Sequence, residues 1–376
     1  MLKMTSLTAK ERRRLSISLR YPFLSSSLSH PKDWEQLVLE QDLRLAHQIA
    51  EHRVPPELVF NLDQFGLKVL SLTDRTRVPV GTKSVPVIGS DDKRQITGVP
   101  VVAADGSFVG LQLIWQGTTD RCHPKGVPED SQLKHFHSAN HWSSPETMRH
   151  IISHVLVPHI KKVINEKKLG ILQKSILILD VWAHHISEEF RQFLAAQDAA
   201  ILVNYIPPRC TSKAQGSPCS SPASCHARLV CDLVVNKKCK EFANDVTCAE
   251  IAANVARQLE SMEAGGVAAI SVDIRLTALK PMVVRGMIDA IEFFNSAEGA
   301  TLIRKGFEKA NVARCFTTFF QEHAVAWARK SGPSALNPQF EPATDIPPSA
   351  AQHSQEAVVV VTNLEEEEVV ESGFVL

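Results

Sequence analysis

The chain has 376 residues, 44% of them hydrophobic and 22% charged, which is ordinary globular composition and enough chain to bury a sizeable core. No apolar run approaches the roughly 18–20 residues of a membrane span, and the opening MLKMTSLTAKERRRL has no apolar stretch behind its charges, so an intracellular protein without membrane contact is expected. Net charge is zero, but eight acids and no Lys or Arg lie beyond residue 338, so the 41 basic residues before it face 33 acids, a net of +8 that leaves nucleic acid open as a partner.

Residues 1–32 are Ser-rich, basic and aperiodic, and are expected to be disordered. Arg12-Arg13-Arg14 is either a nuclear localisation or phosphate-binding run, or a solvated surface. Trp34, Leu37, Val38, Leu45 and Ile49 recur at helical spacing, which predicts a helix over 33–52, ended by Pro55-Pro56. Leu58 to Leu62 reads as a buried strand finishing in Asp63. Further strands are expected at 68–72, 97–103 and 108–115, the last two joined at the turn-forming pair Asp105-Gly106. Residues 121–141 read as a polar loop. Pro145 opens a helix to about 168, Ser175 to Leu179 is an aliphatic strand ending in Asp180, Ser187 caps a helix to about 197, and 200–206 is a strand closed by Pro207-Pro208. From Asp232 to about Trp327 the pattern is mainly helical, and the Pro- and Ala-rich, then acidic, end is expected to be disordered.

This order predicts an α/β fold, a mixed sheet flanked by helices with a C-terminal helical segment. Two strands each finish in an aspartate, and carboxylates at strand ends meet in one crevice when the topology makes those strands neighbours.

Several other constellations have plainer readings. Cys210, Cys219, Cys225, Cys231 and Cys239 crowd within thirty residues, but their spacings fit no common zinc module, and free thiols are the simpler reading. Cys122-His123 are metal-ligating residue types, yet packing within a loop accounts for one such pair. His184 and His185 beside Asp180 lack a G-x-S-x-G nucleophile, and Gly81-Thr82-Lys83-Ser84 lacks the first glycine of a P-loop.

Five blocks in order carry a resemblance: Val59-Phe60-Asn61-Leu62-Asp63-Gln64-Phe65-Gly66; Lys93-Arg94-Gln95-Ile96-Thr97; Gln112-Leu113-Ile114-Trp115-Gln116-Gly117-Thr118-Thr119; Leu177-Ile178-Leu179-Asp180 with Trp182 and His185; and Pro207-Pro208-Arg209-Cys210-Thr211-Ser212-Lys213-Ala214-Gln215, continued at Cys231-Asp232 through Asn236 to Lys240. Over roughly residues 34–310 the chain resembles the DDE superfamily endonuclease domain of pogo, Tigger and jerky transposases and of host-adopted relatives such as centromere protein B.

The resemblance implies an RNase H-like core over 33–245, a helical segment over 246–328 and an acidic tail over 329–376. It implies Asp63, Asp180 and Asp232 as catalytic metal ligands for two Mg²⁺ (or Mn²⁺) ions, Asp63 bridging both. Lys213, Lys237, Lys238 and Lys240 would face the DNA backbone. DNA is the implied partner, the nucleus the implied location, and a homodimer is compatible with both. Two departures stand against this. A Ser/Pro/Cys-rich insert at 216–229 precedes the third acid, and too few residues precede the first block for the helix-turn-helix units that read transposon ends. Alongside the two-metal endonuclease stands a second expectation, a catalytically inactive nucleic-acid-binding remnant.

Overall fold

The computed structural model describes residues 33–70, 94–208, 229–261, 271–338 and 340. Of the sequence expectations, the basic N-terminus (1–32), Lys213, nearly all of the 216–229 insert and the acidic stretch beyond 340 lie outside these residues.

Helix α1 (Trp34–His52) leads through a short 3-10 turn to β1 (Val59–Leu62), β2 (Phe65–Lys68), β3 (Gln95–Ala103) and β4 (Phe108–Gln116). The β3–β4 turn forms at Asp105-Gly106, where Asp105 Oδ1 and Oδ2 accept from Ser107 N (2.9 Å) and Ser107 Oγ (2.7 Å), and Gly106 takes φ 101°. Next come β5 (Leu133–Ser138), α2 (Pro145–Ile151), a π turn (Ile152–Leu156), α3 (Val157–Glu166), β6 (Lys174–Asp180), α4 (Glu188–Ala195) and β7 (Ala200–Ile206). The π turn precedes Pro158, whose missing N–H and bulky ring cannot be fitted to a regular α turn. After a second π turn (Cys231–Val235) the chain continues as α5 (Asn236–Ser261), α6 (Leu276–Asn295), α7 (Ala297–Lys309), α8 (Thr318–Ser331) and α9 (Pro333–Leu336). Helix α5 runs through residue 245, and ordered helix continues past residue 328. Among the described residues no helix is long and apolar enough to cross a membrane.

The sheet has seven strands in the order β5-β4-β3-β1-β6-β7, with β2 also pairing β3. Strand β3 is antiparallel to both β1 and β4, while β6 and β7 run parallel to β1 on its other side. Three antiparallel strands flanked by two parallel ones, with helices covering the sheet, is the RNase H-like arrangement. The pairings Leu62↔Val101 and Phe65↔Gly98 belong to one register, so β1 and β2 are a single antiparallel partner of β3 interrupted at Asp63-Gln64. Pro100 falls opposite Asp63 in that register. It has no N–H for the ladder, and its carbonyl instead meets Cys231 Sγ at 3.9 Å. The break frees Asp63 from the sheet at the point where β6 ends beside it.

Two sequence expectations are corrected. The strand expected over 68–72 forms earlier, as Phe65–Lys68, because Phe65 and Leu67 face inward while Gly66 and Lys68 face out. Residues 121–141 are not all loop: β5 lies within them as the edge strand, parallel to β4. Only Leu133 of its six residues is buried; the polar, His-rich remainder is half-buried and shows no apolar alternation to read.

Candidate active site

Asp63 is the first residue past β1 and Asp180 the last of β6. The parallel register Phe60↔Leu177, Asn61↔Ile178, carried two residues further, sets Asp63 and Asp180 side by side at the carboxyl ends of neighbouring strands. Asp232 arrives from the π turn before α5. Asn236, one helical turn on, donates from Nδ2 to both Asp63 Oδ2 (2.9 Å) and Asp232 Oδ1 (3.0 Å). Asp63 thus neighbours both other acids, sharing a donor with Asp232 on the exposed rim and feeling the charge of Asp180, although no choice of one oxygen from each of the three lies within 4.8 Å of the other two.

A buried asparagine aligns the strands and helix that carry them. Asn61, fully buried in β1, donates from Nδ2 to the carbonyl of Ile178 on β6 (3.1 Å) and accepts at Oδ1 from the backbone N–H of Cys231 (3.0 Å). It thus holds the chain two residues before Asp180 and one before Asp232. Buried Leu229, Val230 and Val234 pack the π turn inward, and Gly306 of α7 admits it: a Cβ there would lie 2.7 Å from Val230 Cγ1. On the other side Asp180 Oδ1 accepts from His185 Nδ1 at 2.8 Å, and Tyr205 donates its hydroxyl hydrogen to the His185 carbonyl at 2.6 Å. Burial pushes the Tyr205 phenol up to about 12, so it remains a donor. The Asp180 side chain is still 41% exposed, leaving oxygen surface for a ligand.

The electrostatics fit a cation site. Burial, reinforced by the negative charges of Asp232 and Asp180, pushes the Asp63 carboxyl well above the usual aspartate range. No Lys or Arg forms an ion pair with any of the three acids among the described residues. Asn236 Oδ1 and His185 Nε2 are buried without hydrogen-bond partners among them. Crowded, hard carboxylate oxygens with no counter-charge are the donor set that Mg²⁺ and Mn²⁺ take.

Of the expected phosphate-facing lysines, Lys237 and Lys238 reach Glu241 on their own helix (3.7 and 2.9 Å). Exposed Lys240 lies 5.8 Å over the ring of Phe65, two residues from Asp63. Lys213 lies outside the described residues. Sequence reasoning passed over Asn61 and Asn236 as site residues and set His185 aside. Their signals were present: a polar residue amid an apolar strand, an amide four residues from an acid on a helix, and a histidine five residues after the second acid.

No family model matches the chain. Among solved structures it is similar to the Mos1 mariner paired-end complex with Mn, with 11% identity and a TM-score of 0.38 over 84% of this chain and 68% of that one. It is also similar to the Mos1 transposase paired-end complex with the left transposon end, with 8% identity and a TM-score of 0.34 over 77% of this chain and 68% of that one. The fold assignment rests on the strand order of the sheet itself.

Proposed function

We propose that this chain is a DDE-type endonuclease or transposase-derived protein of the pogo, Tigger and jerky kind, acting on DNA phosphodiesters with divalent metal. The observation that supports this reading most is the crowding of Asp63 by Asp180 and Asp232, none of which forms an ion pair with a Lys or Arg among the described residues. Asp63, Asp180 and Asp232 would hold the Mg²⁺ or Mn²⁺ ions. When bound, such ions activate an attacking water and offset the charge that builds on the departing oxygen of the phosphodiester.

The chain's own residues do the positioning. Asn236 fixes the spacing of Asp63 and Asp232, so their oxygens are set before a ligand arrives. His185 fixes the Asp180 carboxylate through one oxygen and leaves the other available. Lys240 at the rim, Lys213, and Lys237 and Lys238 after release from Glu241, would meet DNA phosphates and set its register without reading sequence.

The test is nicking of supercoiled plasmid by the full chain in Mg²⁺ or Mn²⁺, wild type beside Asp180→Asn. Metal-dependent nicking that the substitution abolishes is the expected result. A folded wild type that binds DNA but leaves the plasmid intact would assign the chain to the inactive remnant, in which the fold persists as a DNA-binding scaffold.

A further inference from the structure

A second cluster of metal-ligating side chains lies at the other end of the sheet order, and none of its members belongs to the acidic crevice. Strand β4 ends at Gln116. The chain then makes a short 3-10 turn over Asp120–Cys122, followed by His123, before returning as the edge strand β5, where Trp115 pairs with His137. One ligand atom from each of Cys122, His123 and His137 lies within 4.8 Å of the other two. His123 Nε2 and His137 Nδ1 are 3.3 Å apart. Tetrahedral zinc with Zn–N bonds of about 2.0–2.1 Å separates two nitrogen ligands by roughly 3.3 Å. We propose that Cys122, His123 and His137 bind a structural zinc ion that fastens the β4–β5 connection and the edge strand to the sheet.

The surroundings are shaped for this. Gly117 is where the loop closes on the thiol: a Cβ there would stand 2.6 Å from Cys122 Cβ and 2.7 Å from its Sγ, so only glycine leaves the sulfur in place. Gly117 N also donates to the Ser138 carbonyl (2.9 Å), tying the end of β4 to the end of β5. His135, on the same face of the strand with its ring 5.9 Å from that of His123, has its Nδ1 engaged by Trp115 Nε1 at 3.0 Å, so His137 is the β5 imidazole whose nitrogen joins Cys122 and His123. Asp120 Oδ1 lies 3.3 Å from His137 Nδ1 on a side chain 87% exposed, free to swing into a fourth position that water would otherwise fill. Burial pushes the Cys122 thiol up, while Lys280, which donates to the Cys122 carbonyl (2.5 Å) over the Trp115 ring, acts the other way, its charge favouring the thiolate that zinc requires.

The fold supplies the need. Parallel strands require a crossover, usually a helix whose apolar face secures it. Here the crossover over 117–132 contains only the 3-10 turn, and β5 buries a single residue. A stretch of that length without regular structure is uncommon in a compact domain unless something fixes it. One thiolate and two imidazoles select zinc, while the all-carboxylate crevice selects hard cations, so the chain would sort two metals between two sites.

The full chain, purified without chelator, should carry about one equivalent of zinc. After exchange, Co²⁺ should give a thiolate-to-cobalt charge-transfer band that persists in Asp180→Asn and disappears in Cys122→Ser. His137→Ala should weaken zinc binding at least tenfold. A band that survives Cys122→Ser places the metal on other cysteines and overturns the proposal, as does absence of the band in wild type. Because these variants can lose fold, the wild type is also alkylated with and without zinc and the products mapped by mass spectrometry. Zinc should shield Cys122, and equal labelling in both states refutes the site.

Discussion

Replacing Asp63 by asparagine separates the electrostatic cost of the crevice from its use. In the metal-free protein the Asp63 carboxyl faces Asp232 and Asp180 and is held by the backbone N–H of Gln64 and by Asn236 Nδ2, the latter shared with Asp232. The substituted carboxamide would keep an acceptor for Asn236 and offer an N–H to Asp232, turning a repulsion into a hydrogen bond to a charged group. Such a bond contributes about 1.5–3 kcal/mol. At roughly 2–4 °C per kcal/mol for a domain of this size, metal-free Asp63→Asn should melt about 3–12 °C above wild type near neutral pH.

The pH dependence gives the sign independently. An unfolded aspartate titrates near about 3.9, whereas folded Asp63 keeps its proton to higher pH. Between those two values the native state binds the extra proton, so wild-type stability falls as pH rises through the window and is flat above it. The variant lacks this loss, so the two melting curves should converge near pH 4 and part as pH rises. Metal offsets the difference. At a hundred times its dissociation constant, Mn²⁺ stabilises the wild type by about 2.7 kcal/mol and leaves the variant nearly unchanged. Differential scanning fluorimetry across pH, with EDTA or Mn²⁺, reads all of this. A metal-free variant less stable than wild type, or one with an undiminished Mn²⁺ response, would refute the reasoning.

Asn236→Ala removes the donor that Asp63 and Asp232 share, and loss of such a supporting contact should weaken Mn²⁺ binding about 10–100-fold by calorimetry, with the fold retained by circular dichroism. Asn61→Ala strands the buried N–H of Cys231 and should cost about 1–3 kcal/mol in urea unfolding, with a parallel loss of Mn²⁺ affinity because Asp232 loses its tether. Gly98→Ala would put a Cβ 2.4 Å from Phe65 Cζ, and the displaced ring should cost about 1–3 kcal/mol and reduce nicking, since Phe65 lies two residues from Asp63.

How far the sequence could be read depended on whether a feature announces itself locally. Strands β4, β6 and β7 carry continuous aliphatic or alternating runs bounded by turn residues, and their expected limits agree with the structure to within a residue. Strand β5 carries no such signal, because an edge strand of half-buried histidines needs no apolar alternation. The displacement of β2 had a different cause: the strand ends at Lys68, and buried Val69 and Leu70 follow it with only the Val69 N–H still bonded to the Arg94 carbonyl (3.0 Å), so apolar character marked the core there rather than the strand. The three acids were legible as strand-end and helix-start carboxylates. Their meeting was not, because it depends on the β1–β6 register and on contacts that reach 117 and 170 residues along the chain.

That long reach also bears on the insert at 216–229, which the sequence alone sets beside the third acid as a threat to its position. Asp232 is located from across the fold, through its neighbours Val230 and Cys231, and from downstream. Cys231 N is bound to Asn61, Val230 and Val234 are seated against α7, and Asn236 turns back to both carboxylates. A polar side chain buried in a central strand usually weighs against stability, but Asn61 has its carboxamide oxygen and nitrogen satisfied by two different elements, each one or two residues from an acid. It is a common reference for β1, β6 and the start of α5. The third acid is referred to that point, and with it the spacing of the carboxylates.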